Sequence, residues 1–232
     1  MKRLAFIFLI IVAQTQNISA REVFNQLQPG ARNVYFNFEM DPVFAIVAGY
    51  ARNIEIKKLS RNVTLTGDIT LPIFVMDLKH YRIDLGSRTA LFNSEKWNII
   101  SALSVINKGT DNPVYAGYLF SIEEGLLLGH FATEWYMAID LSYEKFLFTK
   151  IEHTHWYKES VHTDAKDGWY SSTGGNITFG LQGGYTFRNV IELTLRFGMY
   201  KTEGFNNAGG IPFVVNIGMN YHLQRKIQKS PD

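Results

Sequence analysis

The sequence predicts an all-β chain: one closed antiparallel transmembrane β-barrel of about ten strands, within a range of roughly eight to twelve. Three observations predict it. Long runs alternate apolar and polar side chains with a period of two, the mark of a strand with one greasy face. The opposite face carries Gly, Thr, Asn and Gln with only an occasional charge, where a soluble sandwich would place Lys and Glu. The runs also reach the roughly 9–11 residues that a tilted membrane strand needs.

The clearest strands lie near the C-terminus. In residues 178–187, Phe179, Leu181, Tyr185 and Phe187 oppose Thr178, Gly180, Gln182, Gly184 and Thr186. In 191–200, Ile191, Leu193, Leu195, Phe197 and Met199 oppose Glu192, Thr194, Arg196, Gly198 and Tyr200. In 211–223, Phe213, Val215, Ile217, Met219, Tyr221 and Leu223 oppose Val214, Asn216, Gly218, Asn220 and His222. Apolar side chains toward lipid and small polar ones toward a crowded lumen account for both faces. A soluble barrel or sandwich is the competing reading.

Residues 1–20 read as a signal peptide, leaving 21–232 as the barrel domain. Lys2 and Arg3 form a basic start, residues 4–13 an apolar stretch too short to span, and 14–20 a polar approach to cleavage after Ala20. Without Lys2 and Arg3 the 23 basic residues become 21, equal to the 21 acidic ones. A neutral mature chain sets nucleic acid aside as a partner. The chain has no cysteine, which excludes thiol chemistry, disulfides and Cys-based metal sites. Its 17 Phe and 12 Tyr suit aromatic girdles at two membrane interfaces. Export together with amphipathic strands points to an outer membrane.

Taken in order, residues 33–53 keep Phe36, Phe38, Met40, Phe44, Ile46, Ala48 and Tyr50 on even positions across Asp41-Pro42. A two-residue turn would flip that parity, so one long strand is expected. Further strands follow at 62–71, 80–92 and 97–106, the last running into a Gly/Asp/Asn/Pro loop at 107–113. Residues 114–128 hold even parity as another long strand. Residues 135–143 alternate again, a turn is expected at Glu144-Lys145, and 146–155 forms a strand of ambiguous parity. Residues 154–175 are the longest polar segment. Counting back from Leu223, this segment and 202–210 fall on the side opposite the short turns. They are therefore expected outside, with both chain ends in the periplasm.

With these strands placed, the chain resembles the small outer-membrane β-barrel proteins of Bacteroidota. The resemblance spans nearly the whole mature chain. It is most specific in residues 135–157, WYMAIDLSYEKFLFTKIEHTHWY, then in Gly168-Trp169-Tyr170, Thr173-Gly174-Gly175 and residues 212–221. It implies an outer-membrane barrel without an assigned reaction. One departure is the C-terminus: Tyr221-His222-Leu223 precedes a polar tail, where such barrels often end on an aromatic residue read by the assembly machinery.

Two constellations could carry chemistry. The first is the inward set Glu39, Asp68, Arg82, Asp84, Arg88, Asp140, Glu192 and Arg196, a lumen polar network. Charges in a narrow lumen must pair, so a structural network is favoured over a charge-selective channel. The second is the run Glu152-His153-Thr154-His155, with His162, Asp164 and Asp167 behind it. On a strand His153 and His155 would share a face and could meet a carboxylate as a metal site or proton relay. H-x-H at a strand end is a weak signal, and Ser160, Ser171 and Ser172 fall in one segment with no triad order. The reading is therefore a non-enzymatic barrel, serving as a structural or binding barrel or a narrow pore. An outer-membrane hydrolase or metal-binding barrel using the His-rich rim is the alternative. No cofactor is expected. The expected partners are outer-membrane lipid and, during biogenesis, the barrel assembly machinery.

Overall fold

The computed structural model describes residues 30–40, 44–56, 61–73, 79–94, 97–171, 174–188, 190–203 and 213–223; the expected signal peptide lies outside them. The elements are β1 (Arg32–Met40), β2 (Phe44–Ile56), β3 (Arg61–Pro72), β4 (Tyr81–Asn93), β5 (Trp97–Asp111) and β6 (Tyr115–Phe131), followed by β7 (Trp135–His153), α1 (His155–Ser160), β8 (Gly168–Ser171), β9 (Gly175–Phe187), β10 (Ile191–Thr202) and β11 (Phe213–Leu223). Ten strands pair antiparallel with their neighbours around one closed sheet, β7 passing directly to β9, while β8 is laid along the upper part of β7. Closure is made by the first and last strands, from Arg32 opposite Leu223 to Met40 opposite Val215. A sheet without edges leaves no row of backbone groups unpaired in hydrocarbon.

Burial is inverted relative to a soluble protein. Phe38, Leu85 and Met137 on the outside are each more than 60% exposed, at 62%, 62% and 63%, while Asp140 and Asn220 inside are at 0%. This inversion separates the chain from a soluble barrel. On β10 the outward apolar residues run from Ile191 to Met199, about 20 Å along the axis of a tilted barrel. Rings cluster at both ends of that band. At one end His130 lies between Trp97 and Trp135, with ring centroids 6.0 and 5.0 Å away. At the other, Phe120, Phe148 and Trp169 meet at 4.8–6.3 Å.

The strand total agrees with the expected ten, but two local expectations fail and cancel. Residues 33–53 are a hairpin, not one strand: Met40 faces Phe44, so three residues, 41–43, connect β1 to β2. A connection with an odd number of residues preserves parity, which a two-residue turn would not. Conversely, Glu144-Lys145 is no turn. Both residues lie inside β7, which runs unbroken for 19 residues. Its ambiguous parity comes from a bulge: Ser121 faces Phe146 while Phe120 faces Phe148, so Leu147 is the extra residue and the faces exchange there. The expected loop at 107–113 also starts too early, because β5 continues to Asp111.

Short connections, 57–60, 94–96, 132–134 and 188–190, share one end of the barrel with Arg32 and Leu223. The opposite end bears the long ones, 73–80, 154–174 and 203–212, with the short 41–43 and 112–114. Barrels of this architecture keep short turns in the periplasm and long loops outside. A tag inserted near Lys166 is therefore expected to be labelled on intact cells, whereas one following Asp232 needs a permeabilised outer membrane. Labelling of the second tag on intact cells would reverse the orientation.

Candidate functional site

Parity turns all eight expected lumen residues inward. Seven of them are buried, and Arg82 keeps only 18% of its side chain exposed. What parity does not give is the partner. Arg196 on β10 is bound by Asp140 on β7, its Nε and Nη2 donating to the two carboxylate oxygens, the second at 3.1 Å. These strands are not neighbours; β9 runs between them. Gly180 on β9 faces Asp140 and makes the crossing possible, since a Cβ there would stand 2.8 Å from Asp140 Oδ1. Tyr35 does the same at the other side: its ring lies across Gly49 on β2, where a Cβ would come within 2.2 Å. Its hydroxyl thus reaches Asp68 on β3 at 2.8 Å.

Toward the outer end, Arg82 on β4 donates to Glu123 on β6 at 2.5 Å and to Asp84 at 3.2 Å. Lys108 on β5 lies 2.6 Å from Glu144 on β7, and Ser121 also donates to Glu144 at 2.5 Å. At the inner end Glu192 accepts from Asn220 at 2.8 Å and lies 3.6 Å from His222 Nε2. The other ring nitrogen of His222 is 3.0 Å from Asn33 Oδ1 on β1. These links lie at successive levels of the lumen, from Glu192 and His222 at the inner end to Arg82 and Glu144 at the outer.

The sequence reading missed Lys108, Glu123 and Glu144. Glu123 was accessible, because the even outward parity of β6 turns odd positions inward. Lys108 and Glu144 were hidden by strand ends placed too early, in the supposed loop at 107–113 and turn at 144–145.

Above these links, toward the outer end, the described residues line a vestibule of about 620 Å³. Glu39, Arg82, Glu123 and Glu144 form its floor. Its walls carry Tyr115, Phe146, Leu119 and Tyr200 together with Thr70, Thr110, Thr149, Thr178 and Asn176. Below, the interior is packed. Tyr136 stacks on Phe131 at 5.4 Å and joins Ile100, Ala102, Leu127 and Ala138 in an apolar cluster, its hydroxyl accepting from Gln182 at 3.0 Å.

The rim histidines do not share a face. Thr154 ends β7 and caps α1, accepting from the Tyr157 amide at 3.3 Å, so His155 begins a helix. His153 stacks on Tyr157 and contacts Asp167, whereas His155 lies against Glu159. Among the described residues no group of three or more metal-ligating side chains converges. Asp167 instead clasps the loop, accepting from Lys158 at 2.5 Å and from the His153 amide at 2.9 Å.

Comparison with known proteins places this geometry. No protein-family profile matches the chain, and no curated protein matches it in sequence. Among solved structures it is similar to an outer membrane channel from Pseudomonas putida F1, with a TM-score of 0.55 and 11% identity over 87% of this chain and 100% of that one. The likeness shows the fold: a transmembrane β-barrel of the outer-membrane type. A de novo designed transmembrane β-barrel also matches, at a TM-score of 0.34 and 10% identity over 85% of this chain and 98% of that one. An outer membrane protein from Acinetobacter baumannii gives 0.30 and 9%, over 83% and 97%.

Two outcomes follow. Arg196→Ala leaves Asp140 buried without its cation and is expected to destabilise the micelle-folded barrel by about 3–5 kcal/mol. The pair Arg196→Met with Asp140→Leu should recover most of that loss in the same urea titration. At the rim, the Lys158 ammonium, and then the His153 amide, hold the Asp167 carboxyl down at about 2. A carboxylate with a depressed pKa stabilises above its unfolded value near 3.9, and that contribution is lost as pH falls through the folded value. Amide exchange at His153 should therefore stay slow at pH 4 and accelerate only toward pH 2. Acceleration centred on pH 4 would mean the clasp does not hold.

Proposed function

We infer that the chain is an integral outer-membrane barrel without catalysis, closed within and open to the outside as a small-solute binding vestibule. The observation that carries this reading is one circuit of lumen side chains below the vestibule. Taken strand by strand they are Tyr35, Ala51, Thr64, Arg88, Ile100, Leu127, Tyr136, Gln182, Thr194 and Asn220, and none is more than 7% exposed. A water-filled channel running end to end would wet its wall at every level, and this level is dry. A barrel of about ten strands is narrow enough for side chains to fill it.

A narrow pore is the second reading, favoured by the likeness to the outer membrane channel from Pseudomonas putida F1. It requires this circuit to move. The resemblance of residues 135–157 to Bacteroidota barrels supports an origin there. Support for a non-enzymatic role comes from the rim, where His153 and His155 engage separate carboxylates instead of one reacting centre. Outer-membrane lipid is the partner suited to the apolar band, and assembly machinery the partner during insertion.

Planar-bilayer recording of the refolded protein tests the closed reading. Wild type is expected to show no steady conductance, and Tyr35→Ala with Tyr136→Ala, which removes two rings from the circuit, to open one. Steady ohmic conductance from the wild type would establish the pore instead.

A further inference from the structure

We propose that the vestibule binds an uncharged, hydroxyl-rich solute of mono- or disaccharide size, taken up from the outer side. This rests on the reading of an outward-open, closed-floored barrel and names its ligand class. At about 620 Å³ the space lies within the range of small-molecule sites, roughly 300–1,000 Å³.

The floor decides against charge. Arg82 is engaged by Glu123 and Asp84, and Lys108 by Glu144. A charged ligand would have to break one of these half-buried pairs and strand its partner. Carboxylates also outnumber the two cations, which weighs most heavily against an anion. A neutral hydroxyl breaks nothing. Paired carboxylates keep spare lone pairs and a guanidinium spare N–H groups, so the floor offers acceptor and donor side by side. A hydroxyl, which both accepts and donates, matches that array. Rings at Tyr115, Phe146 and Tyr200 supply flat apolar faces for the C–H side of a sugar.

The bulge in β7 gives independent support. Below it even positions face inward, as Glu144 and Phe146 do; carried on, that parity would put Lys150 into the wall. The extra residue Leu147 exchanges the faces, so Thr149 lines the vestibule while Lys150 stands opposite Tyr118 and pairs with Glu152. Bulges re-aim side chains beside functional sites; this one faces Thr149 and Ile151 inward, where the unshifted register would face Phe148 and Lys150.

Calorimetry in amine-oxide micelles, which carry no sugar headgroup, tests the assignment with maltose, methyl glucoside, glucosamine and glucuronate. Maltose or methyl glucoside should bind, glucosamine more weakly, and glucuronate not at all. Tyr200→Ala and Phe146→Ala should each weaken maltose binding about tenfold. Thr149→Lys, which puts an ammonium on the inner wall, should abolish it, and Lys150→Ala on the outer face should leave it unchanged. Unboiled gel mobility confirms that each variant is folded. Tighter binding of glucosamine or glucuronate than of the neutral sugars, or no binding by any of them, overturns the ligand class. Failure of the closed-barrel reading appears separately, as steady conductance of the wild type.

Discussion

Everything in this molecule depends on closing the sheet, because a strand edge in hydrocarbon leaves backbone N–H and C=O groups with no partner. The nine paired positions between β1 and β11 meet that constraint. Once the sheet is closed, alternation of side chains becomes a sorting rule: one parity meets lipid and the other meets a narrow lumen. The consequence is an interior in which polar side chains must find one another. Closure also curves the sheet inward, and that curvature brings second-neighbour strands within reach across the lumen.

The recurring interior contact is accordingly a link that skips a strand. Tyr35 reaches from β1 to Asp68 on β3, Arg82 from β4 to Glu123 on β6, and Lys108 from β5 to Glu144 on β7. Asp140 passes over β9 to Arg196, and His222 joins β10 to β1 across the closing seam. Two of these links cross a glycine, Gly49 or Gly180, whose missing Cβ is the space the side chain occupies. Such links tie three strands at once, so they hold the barrel's cross-section as well as individual pairs. Their cost is desolvation, which explains why a broken pair is far worse than an apolar replacement of both partners.

This arrangement explains what could be read in the sequence and what could not. Facing was legible, because a period of two is local; Glu39, Asp84, Asp140 and Arg196 could all be turned inward from parity alone. Pairing was not, because Asp140 and Arg196 stand 56 residues apart and meet only across a third strand. Turn positions failed where parity is blind to the length of a connection. Three residues between Met40 and Phe44 look like a continuous strand, and one extra residue at Leu147 looks like a broken one. The two errors offset each other in the strand count, which is why the total came out at ten with one hairpin unseen. The helix cap at Thr154 defeated the rim reading for a similar reason. Strand parity was extended two residues too far, through the cap at Thr154 to His155, which belongs to the next element.

The barrel is also lopsided, and this shapes the vestibule. β6 and β7 are 17 and 19 residues long, while β9 and β10 are 13 and 12. The excess lies at the outer end, since both long strands start from a short turn at 132–134 on the inner side. The protruding wall carries Tyr115, Leu119, Phe146 and Thr149 inward and Tyr118, Phe148 and Lys150 outward. The bulge in β7 falls at the foot of this wall, just above Glu144, the last carboxylate of the charged floor on that strand. Below it the strand obeys the membrane rule, with Met137, Ile139 and Leu141 out and Ala138, Asp140, Ser142 and Glu144 in. Above it the faces exchange, and a strand built to sit in lipid becomes one side of a cup. One inserted residue therefore does two things at once: it ends the lipid-facing pattern and sets the chemistry of the cavity wall.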